Sequence, residues 1–236
     1  LTTDGARQVR DLVGTPFTAL VNGAGWKSPG FFCTGRKPVY RLVTKEGHSV
    51  KLTADHRLAK VTRLTPYSLE TEWTQARQLQ PGDRILLHNH RACRGWEGPY
   101  GEEEGYLMGL FLGDGALNGG RAALSSWGEA EGAVAVPQLA CACAMAMPHC
   151  SDSAGWSYVR GWGEYRLTRA SLSQFACELG VAEAKAITPQ MERASSGFYR
   201  GLLRGLFDTD GSVQGSQDEG LSVRLAHSDL ALVQAV

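Results

Sequence analysis

Two aspartates, Asp114 and Asp210, each stand directly before a glycine at the end of an apolar, glycine-spaced segment, and the two segments are copies of each other. Setting Gly101–Gly115 (GEEEGYLMGLFLGDG) over Gly197–Gly211 (GFYRGLLRGLFDTDG), at an offset of 96, gives eight identities in fifteen positions. Chance would give about one. Glycines four apart fall on one face of a helix: Gly105, Gly109 and Gly113 in the first copy, Gly197, Gly201 and Gly205 in the second. Each costs about 1 kcal/mol in a helix interior relative to alanine. Close approach of two helix backbones compensates for such a stripe, and the charges around both segments exclude the membrane version of that device. Packed side by side, the helices bring Asp114 and Asp210 together. A helix C-terminus already carries partial negative charge, so a carboxylate pair there calls for a cation. Mg²⁺ held by one or two carboxylates is the usual partner of phosphate chemistry, and metal-assisted phosphodiester hydrolysis is the reaction such a site suits. A lone Asp-Gly would simply end a helix in a turn; the repetition together with the glycine stripes reverses that preference.

A second constellation lies upstream. Gly47–Val61 (GHSVKLTADHRLAKV) carries Thr53 and His56 as Thr-x-x-His. A lone histidine is more often structural than catalytic, so this pair needs support from its neighbours. Cys141, Cys143, His149 and Cys150 are ligand types within ten residues, but their spacing matches no common zinc pattern, and the alanine-rich surroundings suit small helical core positions.

The elements that must position these residues fall into two kinds. Residues 1–87 contain short, partly alternating runs (Thr18–Val21, Val39–Thr44, His48–Leu52, Arg84–Leu87) broken by Asn22-Gly23, Glu46-Gly47 and Pro81-Gly82-Asp83, which is all-β chemistry. The stretch 88–101 is rich in Gly and Pro and lacks periodicity, as a linker would. After it come helix, strand and helix signals: an apolar helix over Gly105–Gly113 introduced by three glutamates, a hairpin of Trp156–Arg160 and Glu164–Thr168, helices at Ser171–Leu179 and Phe198–Asp208, and a strand at Leu221–Ala226. This second part is α+β and built of two similar halves. Lys plus Arg and Asp plus Glu each number 24, so any nucleic-acid contact must come from local charge distribution, not net charge. With 29 glycines and 20% charged residues the chain is globular and turn-rich. Six cysteines without a CxxC pair, no leader segment and no apolar run of about 20 residues point to a reduced, cytoplasmic protein outside the membrane.

The paired segments resemble the two motifs of LAGLIDADG homing endonucleases, with Leu107–Gly115 and Leu203–Gly211 as the copies. That resemblance implies two pseudo-symmetric αββαββα-like halves meeting at the motif helices, with Asp114 and Asp210 binding Mg²⁺. It implies double-stranded DNA as the partner, with strands of each half lying in the major groove. Lys185, in Lys185-Ala186-Ile187-Thr188-Pro189, matches the family's lysine block and becomes a candidate for stabilising transition-state charge or activating the attacking water; a solvated surface lysine is the competing reading. Arg160, Arg166, Arg169 and Arg224, with Tyr158, lie on or beside predicted strands and are the candidate DNA contacts.

The upstream part is similar to the Hint splicing domain of inteins. Leu1–Gly23 resembles the opening block, Thr53 and His56 the Thr-x-x-His block, and Trp73–Leu86 (WTQARQLQPGDRIL) the Trp…Leu-x-Pro-Gly-Asp turn. The resemblance implies an N-terminal part of an all-β, horseshoe-like Hint domain over 1–90, a linker over 91–101, and the endonuclease over 102–236, its first half 102–190 and its second, from 191, incomplete. It also implies autocatalytic acyl transfer, with His56 protonating the scissile amide nitrogen and Thr53 orienting the strained peptide. The family's N-terminal Cys and C-terminal His-Asn are not among these residues, and Cys33 has no counterpart in it, so this polypeptide by itself is not expected to splice. The stretch Ala194–Val236, especially GLFDTDGSVQGSQ and SVRLAHSDLALVQAV, resembles inteins embedded in cobalamin-dependent ribonucleotide reductases. The competing expectations are a splicing element whose endonuclease has decayed, and a DNA-binding protein of LAGLIDADG-like fold that does not cut.

Overall fold

The computed structural model describes residues 1–89, 92, 95–118, 120–127, 131–146, 156–159, 164–181, 185–216, 218 and 220–236. The chain forms two compact units, one of Val9–Arg94 and one of Leu1–Gln8 together with Gly95–Val236.

Val9–Arg94 is built of three antiparallel hairpins, each its own two-stranded sheet: β1 (Phe17–Val21) with β2 (Ala24–Ser28), β3 (Val39–Val43) with β4 (Ser49–Thr53), and β5 (Arg57–Leu64) with β6 (Leu69–Gln75). The first turn is Asn22-Gly23, both with positive φ (51° and 80°). A two-residue hairpin of type I′ requires that pair of conformations, and Asn-Gly is the dipeptide that adopts it most easily. The run Arg84–Leu87 makes a single bridge, Lys60↔Ile85, flanked by Val61 N–H to the Arg84 carbonyl and Leu86 N–H to the Ala59 carbonyl, both 2.8 Å. It therefore edges β5 without extending as a strand. The long β5–β6 hairpin was not among the predicted strands, because Arg, Lys, Glu and Gln dilute its β-branched pattern. Among the described residues these small sheets do not close into a barrel. The buried apolar side chains described in this unit are Leu12 and Leu52, while Phe32, Tyr67 and Trp73 are exposed.

The other unit follows the order α1 (Glu102–Asp114), β7 (Ala116–Asn118), β8 (Arg121–Trp127), α2 (Glu131–Ala146), β9 (Ser157–Val159), β10 (Glu164–Arg169), α3 (Ala170–Glu178), a short α4 (Pro189–Glu192), then α5 (Ser196–Asp210), β11 (Gly211–Ser216), β12 (Gly220–Leu225) and α6 (Leu230–Ala235). From α1 to α3 this reads αββαββα, and α5 restarts the series as αββα. The first four strands form one antiparallel sheet in the order β7-β8-β10-β9, and β11 and β12 form a separate hairpin. Ala122, Leu124 and Leu167 share one face of the larger sheet, because Leu124 pairs with Leu167 and side chains two apart point the same way. All three are buried in the main core with Tyr106–Met108, Leu110–Leu112, Phe175, Phe198, Leu202 and Leu206.

The starts of α1 and α5 are tied together. Ser195 caps α5 by accepting from Phe198 N–H at 3.0 Å, and its hydroxyl donates to the Tyr100 carbonyl at 2.6 Å, just before α1. Glu104 reaches back to the Gly101 N–H, as the acidic member of a capping box does. The glycine- and proline-rich stretch before α1 is held here as well. Trp96 donates Nε1–H to the Ala194 carbonyl at 2.8 Å and its backbone N–H to Ser196 Oγ at 3.1 Å, while Ser195 N–H donates to the Pro99 carbonyl at 3.0 Å. Helices anchored at one end by these bonds keep a fixed register along their length.

Candidate active site

The register follows from glycine. A Cβ at Gly105 would overlap the Phe198 carbonyl, and one at Gly201 would overlap the Glu102 carbonyl; one at Gly109 would overlap the Leu202 carbonyl, and one at Gly205 the Tyr106 carbonyl. The repeat offset of 96 exchanges the members of each pair of contacts, so α1 and α5 run parallel and pack about a local twofold. Gly109 and Gly205 meet at its centre, where an added Cβ on either would stand 2.9 Å from the other's Cα. Gly113 faces the Thr209 side chain, its own counterpart in the repeat. Gly197 lies outside the tight contact: a Cβ there would sit 3.7 Å from the Glu102 N and 3.3 Å from Ser195 Oγ.

The parallel arrangement places Asp114 and Asp210 side by side, as the last residues of α1 and α5. Asp114 feels Asp210. Desolvation at the helix ends and then the charge of Asp210 push the Asp114 carboxyl above its ordinary value, against the opposing pull of Lys185 and His227. Part of the Asp114 side chain still reaches solvent, so an ion could approach it. Asp210 Oδ2 is buried and lacks a hydrogen-bond donor. An orphaned carboxylate oxygen is costly to bury, and a hard cation is the partner that satisfies it.

Lys185 joins the same end of the bundle. Its ammonium donates to the Gly113 carbonyl at 3.0 Å and stands 5.9 Å from the Phe111 ring centroid. It thus neutralises the C-terminal end of α1. Burial lowers its affinity for a proton, while Asp114 and Asp210 raise it. A fourth residue, not anticipated from sequence, is His227. The antiparallel pairing Gly211↔Leu225 and the bond from Ala226 N–H to the Asp210 carbonyl (3.1 Å) return the end of β12 to the end of α5. His227 Nδ1 accepts the Asp229 N–H at 2.9 Å, and its Nε2 stands 3.8 Å from Asp210 Oδ2. Its only sequence signal is its place just after the strand that leads back to Asp210.

A divalent cation fits this end of the helices: two carboxylates converge, one with an orphaned oxygen. Among the described residues no group of three or more His, Cys, Asp or Glu is arranged to hold a metal ion, so water and phosphate oxygens would complete the shell, as Mg²⁺ prefers. Cys141 and Cys143 lie on α2, where burial keeps the Cys143 thiol protonated; His149 and Cys150 fall outside the described residues. Another pair along the helices was also missed: the buried Tyr106 hydroxyl donates to Asp208 at 2.8 Å, and the Arg204 guanidinium lies 5.5 Å from the Tyr106 ring centroid.

The candidate DNA contacts scatter over two sheets. Arg166 is on β10, its Nε and Nη2 paired at 3.0 and 2.9 Å with Glu164. Tyr158 is exposed on β9, its ring tilted 52° to that of Tyr165 at 5.1 Å between centroids. Arg224 is exposed on β12 and donates from Nε to Ser222 Oγ at 3.3 Å. The backbone of Arg169 pairs with Ala122, and Arg160 lies outside the described residues. Thr53 and His56 occupy the turn from β4 to β5, where His56 N–H donates to the Thr53 carbonyl at 3.1 Å and the His56 carbonyl accepts from Ala76 N–H at 2.8 Å. The His56 side chain is exposed. Thr53 and His56 belong to the other unit. Among the described residues no helix is long and apolar enough to cross a membrane.

The chain is 42% identical over 84 residues to the replicative DNA helicase DnaB of Rhodothermus marinus, covering 36% of this chain and 8% of that protein. It is 29% identical over 199 residues to the replicative DNA helicase DnaB of a Synechocystis species, covering 78% of this chain and 21% of that one. The chain therefore spans about a fifth or less of the length of these relatives, and neither is a ribonucleotide reductase. Residues 197–236, which begin with the second glycine-faced helix and run through Asp210 and His227, match the family described as LAGLIDADG-like domain, and the C-terminal part of the chain carries that domain.

Proposed function

We propose that this chain is part of an intein, in which a Hint-type splicing domain carries a LAGLIDADG homing endonuclease that cuts double-stranded DNA at a specific site. The observation that supports the nuclease reading most is the meeting of Asp114 and Asp210 at the ends of two helices in backbone contact, with Asp210 Oδ2 buried and lacking a donor. Asp114 and Asp210 would hold Mg²⁺, whose chemistry is to polarise the phosphate and lower the pKa of bound water. The chain's own residues do the rest. The glycine contacts set the separation of the two carboxylates. Lys185, anchored on the Gly113 carbonyl, presents positive charge where a phosphate accumulates negative charge. His227 Nε2 stands 3.8 Å from Asp210 Oδ2, outside hydrogen-bond distance.

The splicing reading rests on the order of the Thr-x-x-His block and the Pro-Gly-Asp turn. His56 would protonate the leaving amide nitrogen, and Thr53 would orient the scissile peptide. The two helicase relatives, matched over a small share of their length, favour a replicative helicase as the interrupted host over the ribonucleotide reductase suggested by the wording around the second motif.

The test uses the precursor that contains this chain. Asp114→Asn and Asp210→Asn each lower cleavage of the uninterrupted host allele in Mg²⁺ by about a hundredfold to a thousandfold, and leave splicing intact. His56→Ala stops thioester formation at the upstream junction and leaves cleavage intact. Normal cutting by both aspartate variants removes the metal-site reading.

A further inference from the structure

One buried carboxylate plays no part in the chemistry above. Glu164, on β10, is 2% exposed. Its Oε1 accepts the Ser125 hydroxyl at 2.6 Å and Arg166 Nε at 3.0 Å, and its Oε2 accepts Arg166 Nη2 at 2.9 Å. The Ser125 hydrogen bond, with Arg166 beside it, holds the Glu164 carboxyl below its ordinary value. The carboxylate therefore stays ionised. The Arg166 side chain remains 46% exposed while that of Glu164 is 3% exposed.

The register fixes where this group points. Arg166 pairs with Ser125 on β8 and with Ser157 on β9, so the three residues stand abreast across the sheet. Leu124 and Leu167, one residue away on each strand, bury the opposite face in the core. Arg166 thus occupies the middle of the face turned away from the core. A guanidinium carries five N–H donors in a rigid plane. The Nε/Nη2 edge is taken by Glu164, and the Nη1/Nη2 edge lies outside that pair. That second edge is the fork that matches the O6 and N7 acceptors of guanine.

We infer that Arg166 reads one guanine in the major groove, with its guanidinium plane set by Glu164 and Ser125. This rests on the DNA-cleaving reading and adds a determinant of its specificity. Electrostatics separates the base-reading role from the alternative of phosphate anchoring. A carboxylate 2.9 Å from the guanidinium largely cancels the charge that a phosphate would feel. An arginine kept for phosphate attraction gains nothing from such a neighbour. An arginine kept for planar, bidentate hydrogen bonding gains orientation, since its donors stay in place and its side-chain entropy is lost before binding.

The experiment selects binding sites from randomised duplex DNA with the precursor that contains this chain, its Arg166→Lys and Glu164→Gln variants, and the milder Ser125→Ala, each first shown to be folded by thermal denaturation. The unmodified chain enriches a guanine at one position. Arg166→Lys keeps the charge and loses the fork, so the guanine preference at that position falls about tenfold or more, while affinity for unrelated DNA stays within about threefold. Glu164→Gln lowers preference at the same position, and Ser125→Ala does so more weakly. If Arg166→Lys and Glu164→Gln leave every base preference intact, the inference is overturned and the DNA reading stands. If the unmodified chain selects no DNA, the DNA reading falls and takes this inference with it.

Discussion

The carboxylates of the two units are treated in opposite ways. In Val9–Arg94, Asp55 accepts hydrogen bonds from the Thr53 side chain and from Lys37, 3.1 Å away, and its carboxyl is held down to about 2. Asp83, in the Pro-Gly-Asp turn, accepts the Gln80 N–H at 2.8 Å and pairs with Lys60 at 3.0 Å, and it too is held low. At the ends of α1 and α5 the arrangement is reversed. Asp114 is pushed up by burial and by Asp210, Asp210 Oδ2 lacks a donor, and Lys185 gives its hydrogen bond to a backbone carbonyl instead of a carboxylate. Carboxylates surrounded by donors make turns. Carboxylates forced together and left without donors store an electrostatic conflict that a cation relieves, and such conflicts cluster at functional sites.

The contrast depends first on helices close enough to force the carboxylates together. Gly205→Val is therefore the variant with the largest expected effect, because its Cβ meets the backbone of Tyr106, Leu110 and Gly109, which cannot move aside locally. It should cost about 3 kcal/mol or more and abolish cleavage with the fold, as read by chemical denaturation. Gly113→Ala is milder, about 1–2 kcal/mol, since its neighbour is the Thr209 side chain. Adding Thr209→Ala should return only part of that loss, because the Thr209 Cβ would still stand 2.7 Å from the added methyl, and a double-mutant cycle reads the coupling. Equal costs at Gly205 and Gly113 would mean that backbone contact does not govern the approach.

Much of this site could be read from the sequence because it is repeated. The fourfold glycine spacing, the closing Asp-Gly and the offset of 96 together leave one economical geometry, in which both aspartates share an end. Lys185 could be placed only through a family resemblance, since nothing local shows that a lysine 72 residues from Gly113 will donate to its carbonyl. His227 could not be placed at all. Its approach to Asp210 depends on the length and register of the β11–β12 hairpin, which no single residue type encodes. Glu164 and Arg166 were hidden in another way: charged residues two apart on a strand look like ordinary solvent-facing alternation, and the Ser125 hydroxyl that bonds Glu164 lies 39 residues away. The Gly- and Pro-rich stretch 95–101 has the composition of a linker, yet Trp96 and Ser196 fasten it to the start of α5. Composition reports the conformational freedom of a segment and says nothing of the partners that remove it.

The electrostatic half of the contrast is tested by pH. Asp114 has a folded-state pKa above its unfolded value, so the folded state holds the proton more tightly and loses stability as pH rises through that folded pKa. Asp114→Asn should raise the thermal midpoint above that range, where the wild-type Asp114 carboxyl is ionised, and give no gain in acid. Mg²⁺ should raise the midpoint of the unmodified chain and leave that of the variant nearly unchanged. A variant no more stable than wild type at pH 8 would show that the two carboxylates do not oppose each other.

Asp55 carries the opposite sign and the smallest expected effect. Its depressed pKa gives stability that is present above the unfolded carboxylate value near 3.8 and is lost as pH falls toward about 2. The group is exposed and its partner Lys37 is half exposed, so solvent screens the ion pair and the midpoint of unfolding at neutral pH should hardly move when either is changed. The titration itself is more discriminating. The Thr53 hydrogen bond is the largest influence on Asp55 and Lys37 the next. In an NMR titration, Thr53→Ala should therefore shift the Asp55 midpoint upward more than Lys37→Ala does, and 1 M salt should erase the Lys37 contribution while sparing that of Thr53. A larger shift from Lys37→Ala would make Asp55 an ion-pair residue. It would also detach Thr53 from the one turn carboxylate that now holds its hydroxyl, leaving that hydroxyl free to serve the peptide bond that His56 is proposed to protonate.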